Sequence, residues 1–288
     1  MKIALGTVQF GLAYGVANAG GKVNPAQARE ILRYAENSGL DTLDTAIAYG
    51  DSEQSLGEAG VDDWQIVSKL PGIPETVVDV ATWVRRSLEG SLRRLRVGRL
   101  QGLLLHRSQE LLGPYGEVLF RALEGLKADG LVEKIGVSIY APEELAALLP
   151  RYRLDLIQTP YNVLDRRISS SGWLERLVQE GVEIHSRSAF LQGLLLMAPT
   201  KRPEGFRRWQ AVLNKWDQWC AHHKISSLEA CLGFCLAQPQ ISKVVVGVDS
   251  LIHLQEIITC ASSNLISPPD DLECSDEDLI NPSCWSAL

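Results

Sequence analysis

The sequence lacks long apolar runs, and none of its 288 residues belongs to a stretch near the ~18 residues that a transmembrane helix needs. Positive charge is also scarce, because 28 Lys and Arg stand against 35 Asp and Glu, a net charge of −7. That balance argues against binding to nucleic acid or to anionic membranes, since both need basic surface. The N-terminal run has no small-residue cleavage site typical of a secretory leader. We therefore expect a cytoplasmic protein, monomeric or weakly homo-oligomeric, without nucleic-acid or membrane partners.

Cysteine is absent before position 220, and the six cysteines all fall in the last quarter of the chain. A disulfide scaffold would distribute them through a short secreted chain, so none is expected. Cys231 and Cys235 have i,i+4 spacing, and His222 and His223 lie nearby, but this spacing matches no standard zinc pattern. We expect two buried thiols on a core helix and no metal.

Strand-like and helix-like patterns alternate eight times along the chain. Strands are predicted over residues 2–9, 41–46, 65–70, 100–106, 134–139, 154–159, 182–188 and 243–248. Helical patterns follow at 24–39, 52–60, 77–95, 117–130, 142–152, 172–181, 226–238 and about 250–262, with Asn24 as an N-cap before Pro25. Residues 199–225 form a longer polar and aromatic stretch.

Eight such units in ~250 residues predict a (β/α)₈ TIM barrel, an α/β fold in a single domain. A doubly wound sheet would usually carry G-x-G-x-x-G after its first strand, and this sequence has none. We expect the barrel over residues 1–265 and an acidic, irregular C-terminal tail over 266–288.

Polar residues stand where several predicted strands end, the edge at which TIM barrels carry their chemistry. Asp44, Lys69 and His106 end strands two, three and four, and Tyr49 follows strand two. Taken singly, each has a structural explanation, but all four fall at one edge. A charged lysine beside a phenol would lower the pKa of Tyr49, making it a usable general acid toward a carbonyl oxygen. His106 would donate a hydrogen bond to the same oxygen.

The segments LDTAIAYG, IVSKL and LLLHRS resemble the aldo-keto reductase family, and the resemblance covers nearly the whole chain. It implies Tyr49 as acid/base, Lys69 and Asp44 as tuning residues, and His106 as the group that positions the carbonyl. It also implies NADPH as the usual cofactor, with NADH as the alternative. The positions implied to hold the cofactor are Gly6, Thr7, Ser138, Gln158, Arg187, Ser188, Leu191, Gly193, Gly247, Asp249 and His253.

Two positions depart from the family pattern. Arg187 stands where the family often has an aromatic ring against the nicotinamide, so binding of an anionic or polyol substrate is a rival role for it. Asp249 stands near the expected 2′-phosphate site, where a carboxylate would repel phosphate and could accept ribose hydroxyls instead.

The substrate pocket is expected to include Gln9, Phe10, Tyr14 and Trp285. Residues 199–225 and the tail are candidates for a lid over the pocket. The alternative for Trp209, Trp216 and Trp219 is that they pack a helix onto the barrel. The run GTVQFGLAYGVAN resembles a family branch associated with surface polysaccharides and sugar nucleotides, which implies a sugar or sugar-derived small-molecule carbonyl.

Two other functions stay open at this point. One is a Schiff-base aldolase or lyase acting through Lys69, which would require a lowered lysine pKa. The other is a non-catalytic barrel that senses a nucleotide.

Overall fold

Eight parallel strands form a closed barrel in the computed structural model, which describes residues 1–18, 20–261 and 268–287. The strand order is β1 to β8, and β8 pairs with β1 to close the barrel. The (β/α)₈ prediction is thereby confirmed. The strands are β1 (Ile3–Gly6), β2 (Thr42–Asp44), β3 (Gln65–Leu70), β4 (Leu100–Leu105), β5 (Val132–Ser138), β6 (Leu156–Pro160), β7 (Glu183–Arg187) and β8 (Lys243–Gly247).

Helices follow the strands and cover the outside of the barrel. They are α1 (Pro25–Asn37), α2 (Ser52–Ala59), α3 (Val80–Leu95), α4 (Gly116–Ala128), α5 (Glu143–Leu148), α6 (Arg167–Ser170), α7 (Trp173–Gln179), α8 (Gln210–His223), α9 (Ser227–Ala237), α10 (Leu251–Cys260) and α11 (Glu277–Ile280). The predicted N-cap of α1 is confirmed, because the Asn24 side chain accepts hydrogen bonds from the backbone of Ala26 and Gln27, both at 3.0 Å.

The predicted bounds of the first strand were too long. We expected residues 2–9, but the strand ends at Gly6 and a 3₁₀ turn covers Val8–Phe10. This turn changes the direction of the side chains that follow, because the two-residue alternation of a strand stops there.

The 199–225 stretch is more ordered than the sequence pattern indicated. It contains helix α8, whose buried residues Leu213, Trp216 and Cys220 have the three- and four-residue spacing of an amphipathic helix. These side chains join a second apolar core, separate from the main core between the barrel and its helices.

The second core combines the loop after β7, helices α8 and α9, and part of the C-terminal tail. In the tail, the Trp209 indole donates to Asp276 at 2.7 Å, and the Cys274 backbone donates to the Leu164 carbonyl at 2.8 Å. Short helical turns lie at Asp270–Leu272, α11 and Pro282–Ala287. The expected boundary between residues 265 and 266 lies outside the described residues.

Among the helices that the structure describes, none combines the length and apolarity needed to cross a membrane.

Candidate active site

Side chains at every second position of the strands point into the barrel lumen. Asp44 pairs in register with Val67 on β3, so Lys69, two residues further on, faces the same side. Gln158 on β6 donates a hydrogen bond to Asp44 at 2.6 Å. Because β2 and β6 are not neighbours in the barrel, this bond crosses the lumen and shows that both side chains point inward.

Asp44 is the centre of a buried polar network. Its Oδ1 accepts from Lys69 Nζ at 2.7 Å, and its Oδ2 accepts from Gln158 Nε2 at 2.6 Å. Lys69 Nζ also donates to the Thr45 carbonyl at 2.9 Å. Lys69 is 1% exposed and Gln158 is fully buried, so the network is held rigidly away from water.

Tyr49 and His106 lie together above this network. Their rings meet edge to face, with centroids 5.9 Å apart and planes at 81°. Lys69 Nζ lies 5.2 Å from the centre of the Tyr49 ring. The structure therefore brings together the four residues that the strand ends indicated.

The protonation of these groups follows from burial. Burial and then the Asp44 charge raise the pKa of Tyr49 above its ordinary value, and Arg187 opposes this. The expected lowering of the Tyr49 pKa by Lys69 is thus wrong, because Asp44 sits against the ammonium group and offsets its charge. Burial lowers the pKa of Lys69, with Asp44 opposing. Burial, then Lys69 and Arg187, lower the pKa of His106 to about 4, so its imidazole is neutral near pH 7.

A cavity of about 1030 Å³ opens at this edge of the barrel. The sequence-predicted residues on its wall are Gly6, Thr7, Gln9, Tyr14, Asp44, Tyr49, His106, Ser138, Gln158, Arg187, Ser188, Gly193, Gly247, Asp249 and His253. Gly6 and Gly247 are paired in register on β1 and β8, and a Cβ at Gly247 would lie 2.6 Å from the Gln9 amide. The missing side chains leave room for Gln9 beside the cavity.

Four other predicted residues lie away from the wall. Lys69 lies beneath it and donates a hydrogen bond to Asp44, which is on the wall. Phe10 is fully buried in the main core, since the 3₁₀ turn carries it inward. Leu191 is fully buried in the second core, and Trp285 packs edge-on against Phe206 there, with centroids 4.7 Å apart.

The loop after β7 has an unusual backbone. Ser188, Leu191 and Gln192 have φ values of 62°, 47° and 52°, a region that residues with a Cβ rarely adopt, and Gly193 follows at 88°. Such strain is retained mainly at functional sites, where the surroundings hold it in place.

Several wall residues were missed by sequence reasoning. Tyr140 follows β5, and Lys201 lies in a short turn after the β7 loop. Ser226 lies on the wall and caps α9 through a capping box with Glu229. The S-x-x-E pattern in the sequence predicts this helix start and was the only signal that pointed to Ser226. Glu256 lies three residues after His253 on α10, so both share one helix face. From the tail, Pro282 and Ser283 reach the wall where Trp285 was expected.

Two buried acceptors on the wall have no hydrogen-bond partner within the described ranges: Gln158 Oε1 and Gln9 Oε1. An unpaired buried acceptor costs free energy unless a bound group supplies a donor. Within the same ranges, no group of three or more His, Cys, Asp or Glu side chains could hold a metal ion.

A closed (β/α)₈ barrel thus holds a tyrosine, a lysine, an aspartate and a histidine together at one edge of the barrel. The Aldo/keto reductase family model matches residues 2–269, and the chain belongs to this family. It is similar to a 6-dehydroglucose reductase of Novosphingobium aromaticivorans, with 24% identity over 81% of this chain and 79% of that protein. It is 29% identical to an L-glyceraldehyde 3-phosphate reductase of Escherichia coli O157:H7, over 96% of this chain and 91% of that protein.

The fold is also that of a solved aldo-keto reductase from Bacillus halodurans in its holo form. That structure aligns with a TM-score of 0.77 at 20% identity, covering 95% of this chain and 92% of the other. At this identity the likeness concerns the fold.

Proposed function

We propose that this protein is an NAD(P)H-dependent reductase that converts an aldehyde or ketone to an alcohol, with Tyr49 as the general acid. The observation that carries the proposal is the pair of Tyr49 and His106 on the cavity wall, directly over the buried Lys69–Asp44 ion pair. The names of the relatives support a sugar or sugar-derived carbonyl as the substrate.

The two aromatic side chains have complementary tasks. The neutral His106 imidazole donates a hydrogen bond that polarises and orients the carbonyl. Tyr49 is protonated at neutral pH, since the ordinary pKa of a tyrosine is already ~10 and burial raises it further. It therefore holds the proton that the carbonyl oxygen needs as negative charge develops there. The positive charge of Arg187, which opposes the rise in the Tyr49 pKa, then stabilises the phenolate that remains.

Gln158, Gln9, Ser138 and the loop after β7 fit a nicotinamide dinucleotide. The unpaired Gln158 Oε1 suits the amide N–H of a nicotinamide carboxamide, and Asp44 fixes the Gln158 side chain by its other end. The loop after β7 lies where TIM barrels commonly bind phosphate groups. When bound, the reduced nicotinamide supplies a hydride to the carbonyl carbon.

The charges after β8 favour NADH over NADPH, although the family resemblance implied NADPH. Asp249 and Glu256 both line this part of the wall, with His253 between them in sequence. Two carboxylates disfavour a 2′-phosphate, whereas an aspartate can accept hydrogen bonds from free ribose hydroxyls.

The Schiff-base alternative fits the site less well. Burial does lower the pKa of Lys69, as an imine-forming lysine requires. Its Nζ, however, is enclosed by hydrogen bonds to Asp44 and Thr45 and lies off the cavity wall, where a carbonyl carbon cannot reach it.

Nucleotide fluorescence titrations of NADH and NADPH test the cofactor part of the proposal. We expect NADH to bind more tightly, with the same affinity in Tyr49→Phe. Asp249→Arg should shift the ratio of dissociation constants toward NADPH by about 10-fold, and the exposed Asp62→Arg should not shift it. Preference for NADPH that is lost in Lys201→Gln would assign the 2′-phosphate to Lys201 and contradict the NADH preference. No binding of either nucleotide to folded protein would contradict the reductase and return attention to Lys69.

A further inference from the structure

Arg187 is held in one orientation at the end of β7. Its guanidinium donates to the Ile139 carbonyl at 2.9 Å and to Ser188 Oγ at 3.2 Å, and it stacks 4.6 Å above the Tyr140 ring. Two hydrogen bonds and one aromatic contact leave further N–H donors on a side chain that is already ordered. Arg187 lines the cavity and is partly buried.

The Arg187 charge is not neutralised within the part of the chain that the structure describes, where no carboxylate forms an ion pair with it. The nearby buried carboxylates of Asp165 and Asp44 form their hydrogen bonds with other residues. Asp165 binds Arg167 at 2.9 Å, and Asp44 binds Lys69 and Gln158. A partly buried cation without a counter-charge is costly, and a bound anion would remove that cost.

The Arg187 guanidinium lines the same cavity as Tyr49 and His106. It opposes the rise in the pKa of Tyr49 that burial causes, and it adds to the lowering of the pKa of His106 that burial and Lys69 cause. Tyr14 and Tyr140 also line this part of the cavity, so hydroxyl donors accompany the guanidinium. A ligand bound at Tyr49 and His106 therefore meets a cation and several hydrogen-bond donors.

We propose that Arg187 binds an anionic group, a carboxylate or a phosphate, carried by the carbonyl substrate. The enzyme then selects acidic or phosphorylated sugar-derived carbonyls over neutral ones. This inference rests on the proposed reductase function and names its substrate class. The competing source of the same chemistry is the pyrophosphate of the dinucleotide, which also carries negative charge into the cavity.

Matched substrate pairs test the proposal through a ratio. For each protein, kcat/KM is measured for glyceraldehyde 3-phosphate against glyceraldehyde, and for glucuronate against glucose. We expect the wild type to favour the anionic member of at least one pair, and Arg187→Gln to reduce that preference by about 10- to 100-fold. Arg187→Lys should keep part of the preference, since it retains the charge but loses the planar fork.

Arg151→Gln is the matched control. Arg151 also stacks on a tyrosine, 5.2 Å from the Tyr152 ring, but it is exposed and lies outside the cavity. We expect its replacement to leave the substrate ratio unchanged. Thermal melts of all three variants establish that each is folded.

The NADH dissociation constant separates the two sources of anion. If Arg187→Gln weakens NADH binding and leaves every substrate ratio unchanged, the guanidinium serves the cofactor and the proposal is overturned. Calorimetric titration with inorganic phosphate covers the case in which no carbonyl is reduced. Phosphate bound by wild type but not by Arg187→Gln would support the anion site while the reductase proposal fails, and equal binding by both would overturn the anion site.

Discussion

At the scale of single residues, Asp44 couples the parts of the site. One carboxylate oxygen binds Lys69 and the other binds Gln158, so the group under Tyr49 and the candidate nicotinamide contact share one anchor. Replacement of Lys69 or Gln158 by an apolar residue leaves one buried oxygen of Asp44 without its hydrogen-bond donor. Such losses cost more than the net value of the bond, because the remaining group stays desolvated.

Replacement of Gln158 by leucine tests this coupling. Loss of its hydrogen bond to Asp44 should lower the free energy of unfolding by about 1 to 3 kcal/mol and weaken NADH binding by about 10-fold. Urea unfolding and nucleotide fluorescence measure the two effects. Gln54→Leu is the control, since Gln54 also donates to a carboxylate, Glu58 at 2.9 Å, but on the surface. Equal destabilisation by both replacements would contradict a special role for the buried network.

The lowered pKa of His106 predicts a loss of stability in acid. Its pKa is about 4 in the folded protein, against the ordinary 6.5 expected on unfolding. Between these values the unfolded chain binds the proton more tightly, so stability is full above about pH 6.5 and falls as the pH drops toward 4. In His106→Gln, the loss of unfolding free energy over this window should be smaller by about 2 to 3 kcal/mol.

Urea unfolding at several pH values between about 4 and 7 measures the difference. His222→Gln, which replaces an exposed histidine on α8, is the control. Parallel pH dependences for wild type and His106→Gln would show that His106 does not contribute.

The sequence indicated Asp44, Tyr49, Lys69 and His106 because the ends of the strands can be predicted from the hydrophobic pattern. Asp44, Lys69 and His106 lie within one residue of the last position of their strands, where the two-residue alternation fixes which side chains enter the lumen. The prediction failed for Phe10 because the chain leaves the strand at Gly6 and turns. The pKa of Tyr49 could not be predicted either, since its burial depends on the packed environment.

At the scale of elements, the loop after β7 combines backbone strain with close packing. A Cβ added at Gly193 would lie 2.6 Å from the Ala17 side chain, and the residue has a φ of 88°. Gly172 has a similar φ of 77° but open space around its Cβ position. The two glycines therefore separate the cost of the backbone conformation from the cost of a contact.

Alanine at the two positions should have different effects. Gly172→Ala should cost about 1 to 2 kcal/mol of unfolding free energy, from its positive φ alone. Gly193→Ala should cost about 1 to 3 kcal/mol more and weaken NADH binding, because Ala17 must move. The double variant Ala17→Gly with Gly193→Ala should recover the additional loss. Equal costs at the two positions would contradict the close contact.

Helix α8 shows what the pattern could and could not indicate at this scale. Leu213, Trp216 and Cys220 carry a helical spacing that is visible in the sequence. The surrounding polar and aromatic residues hide this spacing, and the side chains that pack on this face belong to other segments of the chain. Trp216 is fully buried in the second core, and its indole donates to the Leu195 carbonyl in the loop after β7 at 3.1 Å.

At the scale of the whole molecule, the two larger apolar cores hold the barrel and the tail that line one cavity. The main core holds the barrel, and the second core ties the tail to the loop after β7. Pro282 and Ser283 follow the buried Leu279 and Ile280 and line the cavity. Barrel packing was predictable from local periodicity, whereas the second core joins segments as far apart in sequence as Leu164 and Leu279.

The second core should therefore affect both stability and binding. Leu279 is fully buried, so Leu279→Ala should lower the free energy of unfolding by about 2 to 5 kcal/mol and weaken NADH binding several-fold. Val78 is 94% exposed, and Val78→Ala should change stability by less than about 0.5 kcal/mol. Unchanged NADH affinity in a destabilised Leu279→Ala variant would show that the tail does not shape the cavity.

The most direct test of the account is hydride transfer in Tyr49→Phe. The protein loaded with NADH is mixed with glyceraldehyde 3-phosphate in a single turnover, and the loss of reduced-nicotinamide absorbance is followed. We expect NADH to bind wild type and variant alike, and the variant to transfer hydride about 100- to 10,000-fold more slowly, since only the general acid is missing. Equal rates in the two proteins would show that Tyr49 is not the proton donor.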